Sequence, residues 1–245
     1  MEMDNEIIEK ARELEDSGNL NDCVKYIDEN INSLQDQLSK SDILNIKSEC
    51  FLYQEIPNSE MAKQFAEEAL KISLEKNDQK RVAEANLLLS QITVLEDGKK
   101  AVEYGRKALE IYQKLNDKGE YIYSMISLAT ILEDFKEASS LFEKAIQDAE
   151  SSNNIDMMAQ AAVNYAYLLV EEKGGEAPLK TLDRVIKKIL SEGAKLKRKE
   201  ERIRAVTNYS EIFDAASDIA MEQDQYDLAT KYASYLNKDP QEFVK

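Results

Sequence analysis

The chain has 245 residues, 43% of them hydrophobic, with only seven Gly and three Pro. That excludes a disordered tail and makes an all-α fold the expectation. The 32 basic and 48 acidic residues leave a formal charge of −16, which excludes nucleic acid and anionic membrane as primary partners and favours a basic or amphipathic protein or peptide.

In chain order, the segment 4–40 has a turn signal at Gly18-Asn19 and then Cys23, Ile27 and Asn30 at i, i+4, i+7, with Ile31 beside Asn30 to supply the apolar contact. The segment 42–77 turns at Pro57-Asn58-Ser59 and carries Ala62, Ala66 and Ala69; 78–116 turns at Asp97-Gly98 and carries Ala101, Gly105 and Ala108. The segment 117–153 is shortened between Leu128 and Ala138, which predicts a tighter turn, and continues with Ala138, Phe142 and Ala145. The segment 154–193 turns at Gly174-Gly175 before Pro178, Leu182 and Val185, with the proline in the first helical turn. A basic insertion, 194–204, leads into 202–238, where one long helix is expected from the insertion through Ile203 and Tyr209 to Ala220. A Glu200–Arg204 pair is expected on its surface, followed by a turn at Asp224-Gln225 and the set Ala229, Ala233, Leu236.

These sets begin 39, 39, 37, 40 and 51 residues apart. The i, i+4, i+7 stripe places small side chains on one helix face, so each marks a packing helix against which a neighbour can approach closely. Asn77-Asp78, Asn116-Asp117 and Asn153-Asn154 fall eight and nine residues after Ala69, Ala108 and Ala145. Asn tolerates the left-handed conformation that ends a helix, and the residue after it can cap the next. Every unit therefore reads as helix, turn, helix, about six in all, in a single repeat domain over 1–245.

The sequence resembles the tetratricopeptide repeat family. Leu88-Leu89 and Ile92 before Ala101/Gly105/Ala108, Leu128-Ala129 before Ala138/Phe142/Ala145, Tyr165-Ala166 with Leu169, and Ala220 before Tyr226, Ala229 and Ala233 carry its degenerate pattern. Trp is absent, Leu74, Gln113 and Glu150 stand where the pattern closes on Pro, and the period is nearer 39 than 34. The stretch from Ala108 to Asp117 is similar to the longer repeats of bacterial and archaeal regulators and vesicle-fusion adaptors. The resemblance implies a right-handed superhelical solenoid of antiparallel helix pairs whose concave groove binds a protein or peptide.

In the family the first helix of each pair lines that groove. The corresponding positions are Lys47 and Phe51; Asn86, Ser90 and Thr93; Tyr123, Ile126 and Thr130; Gln160, Val163 and Tyr167; and Asp214 and Asp218. The aromatic members either anchor a ligand or fill space between helices. Lys47 and Asn164 match the family's carboxylate clamp only at isolated positions, and Asp214 would repel a carboxylate, so a chaperone tail is not the expected ligand.

Catalytic chemistry has little to stand on. The chain has no His, which removes the commonest general base and zinc ligand. Cys23 and Cys50 are not at metal-ligand spacing and are not expected to form a disulfide, and Gly174-Gly175 lacks the rest of a phosphate loop. Adjacent carboxylates such as Glu67-Glu68 and Glu171-Glu172 do not face each other on a helix. No enzyme activity, cofactor or metal is expected. No run of 18 apolar residues occurs and residues 1–10 lack a basic-then-apolar leader, so the expected compartment is the cytoplasm. Two other roles stay open: a scaffold that forms homodimers or larger assemblies through the last helix, with Tyr232 and Tyr235 against a second copy, and the sensing module of a regulatory system. The basic stretch Lys195 to Arg204 is either solvated surface or a contact for an acidic partner.

Overall fold

Asn77, Asn116 and Asn153 adopt φ of 58°, 55° and 54° in the computed structural model, which describes residues 2–172 and 174–244. The residue after each caps the next helix: Asp78 accepts from the Arg81 amide at 3.0 Å, Asp117 from Glu120 at 3.3 Å and Asn154 from Met157 at 3.1 Å. Asp224 takes the same left-handed conformation, φ 58°, at the turn expected there. Each of the three Asn turns thus satisfies the ends of two helices within two residues, whereas Gln225 after Asp224 makes no side-chain cap.

Among the described residues there are thirteen α-helices and no strand. They are α1 (Glu2–Asp16), α2 (Leu20–Asn30), α3 (Gln37–Tyr53), α4 (Ser59–Glu75), α5 (Gln79–Thr93), α6 (Gly98–Leu115), α7 (Lys118–Ile131), α8 (Phe135–Ser151), α9 (Ile155–Glu172), α10 (Ala177–Ala194), α11 (Lys199–Thr207), α12 (Ser210–Glu222) and α13 (Tyr226–Tyr235). None is long and apolar enough to cross a membrane. The fold is all-α and of the helical-repeat type. The chain divides into two compact units, the first ending at Ile131 and the second beginning at Leu132, so the boundary falls inside the stretch 117–153 that the sequence reads as one repeat.

In the first unit the first helices of successive pairs pack on one another, α1 on α3, α3 on α5 and α5 on α7, and each second helix fills the space between two of them. The stripes Ala62/Ala66/Ala69 and Ala101/Gly105/Ala108 are buried. Gly105 marks the tightest approach: a Cβ there would stand 3.1 Å from Ser90 Oγ and 3.2 Å from Leu128 Cδ1. Small hydroxyls pin the pairs together. Ser48 Oγ donates to the Ala62 carbonyl at 2.7 Å and Ser90 Oγ to Ala101 at 2.8 Å, each to the first member of a stripe.

The second unit repeats the device, with Ser217 Oγ donating to the Ala229 carbonyl at 3.2 Å. Its core joins Phe142 of α8, stacked on Tyr165 of α9 at 5.7 Å, to the buried α10 stripe of Pro178, Leu182, Val185 and Ile189. In the last set Ala229 is buried but Ala233 is exposed, so only part of that stripe packs.

Three expectations for this unit are corrected. The single helix through Ile203 and Tyr209 is two helices, α11 and α12, interrupted at Asn208-Tyr209. Its surface pair is Arg198–Glu201 at 3.6 Å rather than Glu200–Arg204. The basic stretch is also not all solvated: Arg202 is buried, with Nε and Nη2 donating to the two Asp239 oxygens at 2.7 and 2.5 Å and Nη1 to the Leu196 and Lys197 carbonyls at 3.2 and 2.9 Å. Holding that guanidinium folds the 195–198 turn around it and ties α11 to the Asp239 segment. The tyrosines assigned to self-association are covered: Tyr235 meets Phe213 and Phe243 edge-on at 5.9 and 4.5 Å, and Tyr232 is buried beside it.

Candidate functional site

Because the first helices of the first unit touch one another, their remaining open face is a continuous row. Arg12 Nη1 donates both to Glu15 at 3.0 Å and to Glu49 at 2.8 Å, so two carboxylates share one nitrogen. Arg81 makes a bidentate pair with Asp42 at 2.6 and 2.7 Å and a third bond to Asp78 at 2.9 Å. Beyond them runs a polar chain across three helices: Tyr53 Oη donates to Gln91 Oε1 at 3.1 Å, and Gln91 Nε2 donates to Tyr123 Oη at 3.1 Å.

Acids outnumber bases on this row, and burial makes the excess costly. Burial, and then Glu49 beside it, push Glu15 up to about 8. Burial and Asp42 push Glu84 up to about 7, and burial followed by Asp117 raises Glu120. The Tyr53 phenol is pushed up to about 12 by burial, Tyr123, Glu49 and Glu15.

Of the groove residues read from the sequence in this unit, only Tyr123 belongs to that chain. Lys47 is buried against the second helices, paired with Asp28 and lying 4.2 Å over the Phe65 ring. Phe51 stacks on Phe65 at 5.7 Å. Asn86 and Thr93 are buried and bond the Val82 and Leu89 carbonyls of their own helix, and Ser90 is the pin to Ala101. Ile126 is buried; Thr130 is exposed, its hydroxyl turned back onto the Ile126 carbonyl. The corrected positions are Glu49 and Tyr53, two residues after Lys47 and Phe51, and Gln91, one residue after Ser90. Each residue rotates a helix face by roughly 100°, so these small offsets exchange a side chain on the open row for one in a helix seam.

In the second unit Gln160, Tyr167, Asp214 and Asp218 lie outside the core, whereas Val163 is buried. Tyr167 is exposed, and its phenol is raised by burial and then by Asp218, Glu211, Glu222 and Asp214. Tyr167, Asp214 and Asp218 therefore share one face, where Glu211, Asp214, Asp218 and Glu222 form an acidic stripe along α12. Among the described residues none of these four is in an ion pair. Gln160 and Val163 lie one to two turns earlier on α9 and line a recess of about 300 Å³ with Asp156, Asn164, Asn208 and Tyr209. Tyr209, pushed up to about 12 by burial and by Asp156 beside it, reads in the sequence only as a helical position and not as part of a site. Its one signal is the helix-poor Asn208 before it.

Among the described residues no group of His, Cys, Asp and Glu could hold a metal. Cys23 and Cys50, far apart in sequence, meet in one buried cluster of α1, α2 and α3 as free thiols. Cys23 Sγ donates to the Ala11 carbonyl at 3.3 Å, and the proximity of the two thiols lowers Cys23 and raises Cys50.

No protein-family model matches this chain, and no curated protein matches it either. Solved structures do resemble it. A Rap protein complexed with competence and sporulation factor superposes with a TM-score of 0.65 at 15% identity, over 96% of this chain and 74% of that one. The apo form of RapI superposes with a TM-score of 0.62 at 16% identity, over 96% of both chains.

Proposed function

We propose that this chain is a cytoplasmic peptide-binding regulatory scaffold without catalytic activity, and that it takes a basic or amphipathic segment along the open faces of its first helices. The observation that carries this is the stripe Glu211, Asp214, Asp218 and Glu222 beside the exposed Tyr167: carboxylates without ion-pair partners next to an aromatic ring suit a cationic ligand with apolar neighbours. The complex of a similarly folded Rap protein with competence and sporulation factor supports the same reading by analogy of fold. Self-association through Tyr232 and Tyr235 loses its motive, since both rings are buried within the unit.

The test is fluorescence anisotropy with a panel of labelled basic, neutral and acidic peptides. At least one basic peptide should bind, more weakly as salt rises, and the double variant Asp214→Asn/Asp218→Asn should lose tenfold or more in affinity with its circular dichroism unchanged. Thermal stabilisation by nucleotides or sugars but by no peptide would refute the proposal.

A further inference from the structure

The recess of about 300 Å³ in the second unit lies between α9 and the α11–α12 break. Asp156, Gln160, Val163 and Asn164 follow one another at i, i+4, i+7 and i+8 and so share one face of α9. Opposite them the chain leaves helical geometry at Tyr209, φ −108° and ψ 31°, before restarting as α12.

The lining has three kinds of surface. Ala159, Val163 and Ile212 are apolar, Gln160, Asn164 and Asn208 bring carboxamides, and Asp156 and Glu211 bring carboxylates. None of the lining residues is basic. Asp156 and Glu211 each stand in the first turn of a helix, where the dipole stabilises their negative charge. The Tyr209 phenol stands beside Asp156, whose carboxylate keeps acceptor sites for a further donor. The volume is at the lower limit of the roughly 300–1,000 Å³ of small-molecule pockets, a size for one long side chain rather than a cofactor.

From this geometry we infer that the recess is a subsite for a single arginine or lysine side chain of a bound peptide. The aliphatic stem lies on Ala159, Val163 and Ile212 and the cationic head between Asp156 and Glu211. The carboxamides, each with donors and an acceptor, reach the peptide main chain. An anion would meet two carboxylates, and a neutral side chain would gain no charge-assisted hydrogen bond from either. The inference rests on the peptide-binding reading for what carries the cation; the recess chemistry stands on its own.

The experiment is a titration of the full chain with N-acetyl-argininamide, N-acetyl-lysinamide, the neutral isostere N-acetyl-citrullinamide and the free diamine cadaverine. It is followed by the NMR side-chain amide signals of Gln160, Asn164 and Asn208. The two cationic amides should shift these signals saturably and citrulline should not, and Asp156→Asn/Glu211→Gln should weaken binding at least tenfold with the remaining spectrum unchanged. Tyr209→Phe should weaken it severalfold. Equal shifts from citrulline, or none from the cations, would overturn the subsite, and cadaverine binding as tightly as argininamide would overturn its assignment to a peptide side chain. A peptide panel that fails while argininamide still saturates the recess would count against the peptide scaffold and leave the cation chemistry standing.

Discussion

The open faces of the two units use the same architecture and dispose of their acids differently. In the first unit Glu15 and Glu49 share Arg12, Asp42 and Asp78 share Arg81, and Tyr53, Gln91 and Tyr123 are bonded to one another. In the second unit Glu211, Asp214, Asp218 and Glu222 line one helix face beside Tyr167, with no ion-pair partner among the described residues. The first face uses its polar groups to hold helices together and the second leaves its carboxylates without ion-pair partners among the described residues. The same residue types on equivalent helices can therefore be structural in one place and available for binding in another, and the position of the arginines decides which.

The contrast can be broken from the core outward. Phe142→Ala removes a buried ring stacked on Tyr165 and should cost about 3–5 kcal/mol. Denaturant unfolding followed by circular dichroism should show the loss, and hydrogen exchange should place it in the second unit. Gly105→Val drives side-chain atoms into Ser90 and Leu128 in the first unit, for a cost of about 1–3 kcal/mol and increased exchange of α5 and α6. Equal loss of protection in both units for either variant would show that they unfold as one.

Acidity separates the units further. Glu15 and Glu84 keep their protons in the fold up to about 8 and 7 and lose them near the ordinary 4.5 when unfolded, so their contribution is full below 4.5 and is lost as pH rises through 7 and 8. Lowering the pH from 8 to 5 should stabilise the first unit by on the order of 1–2 kcal/mol, and Glu15→Gln should flatten the dependence. Asp239 behaves in the opposite sense: Arg202 holds it down to about 2, so its contribution is present above 3.8 and lost as pH falls through 2. The smallest expected change is Tyr53→Phe, which removes one half-exposed hydrogen bond to Gln91 for about 0.5 kcal/mol.

What could be read in the sequence follows from how each feature is encoded. The second helices were legible because their buried faces are small-residue stripes at helical spacing, and the turns because left-handed Asn recurs in phase. The first helices were legible as helices but not as faces. On α3 and α5 most positions are buried, packed on both sides, so no polar stripe announces the open edge and Lys47, Phe51 and Ser90 were assigned to it when Glu49, Tyr53 and Gln91 occupy it. On α9 and α12 Asp214, Asp218 and Tyr167 stand out from apolar neighbours, so an outward-facing position is legible for each. The burial of Arg202 was illegible because its partner, Asp239, lies 37 residues away in sequence.

The serine pins bear on how such a fold persists through divergence. Ser48, Ser90 and Ser217 each tie a first helix to the opening carbonyl of a small-residue stripe, and the specification resides in a few compact side chains at fixed intervals. A chain encoded so sparsely can drift to 15% identity with a structure it still overlays along 96% of its length. Likeness of fold of this kind is written in spacing and side-chain volume, a script that letter-by-letter comparison does not read.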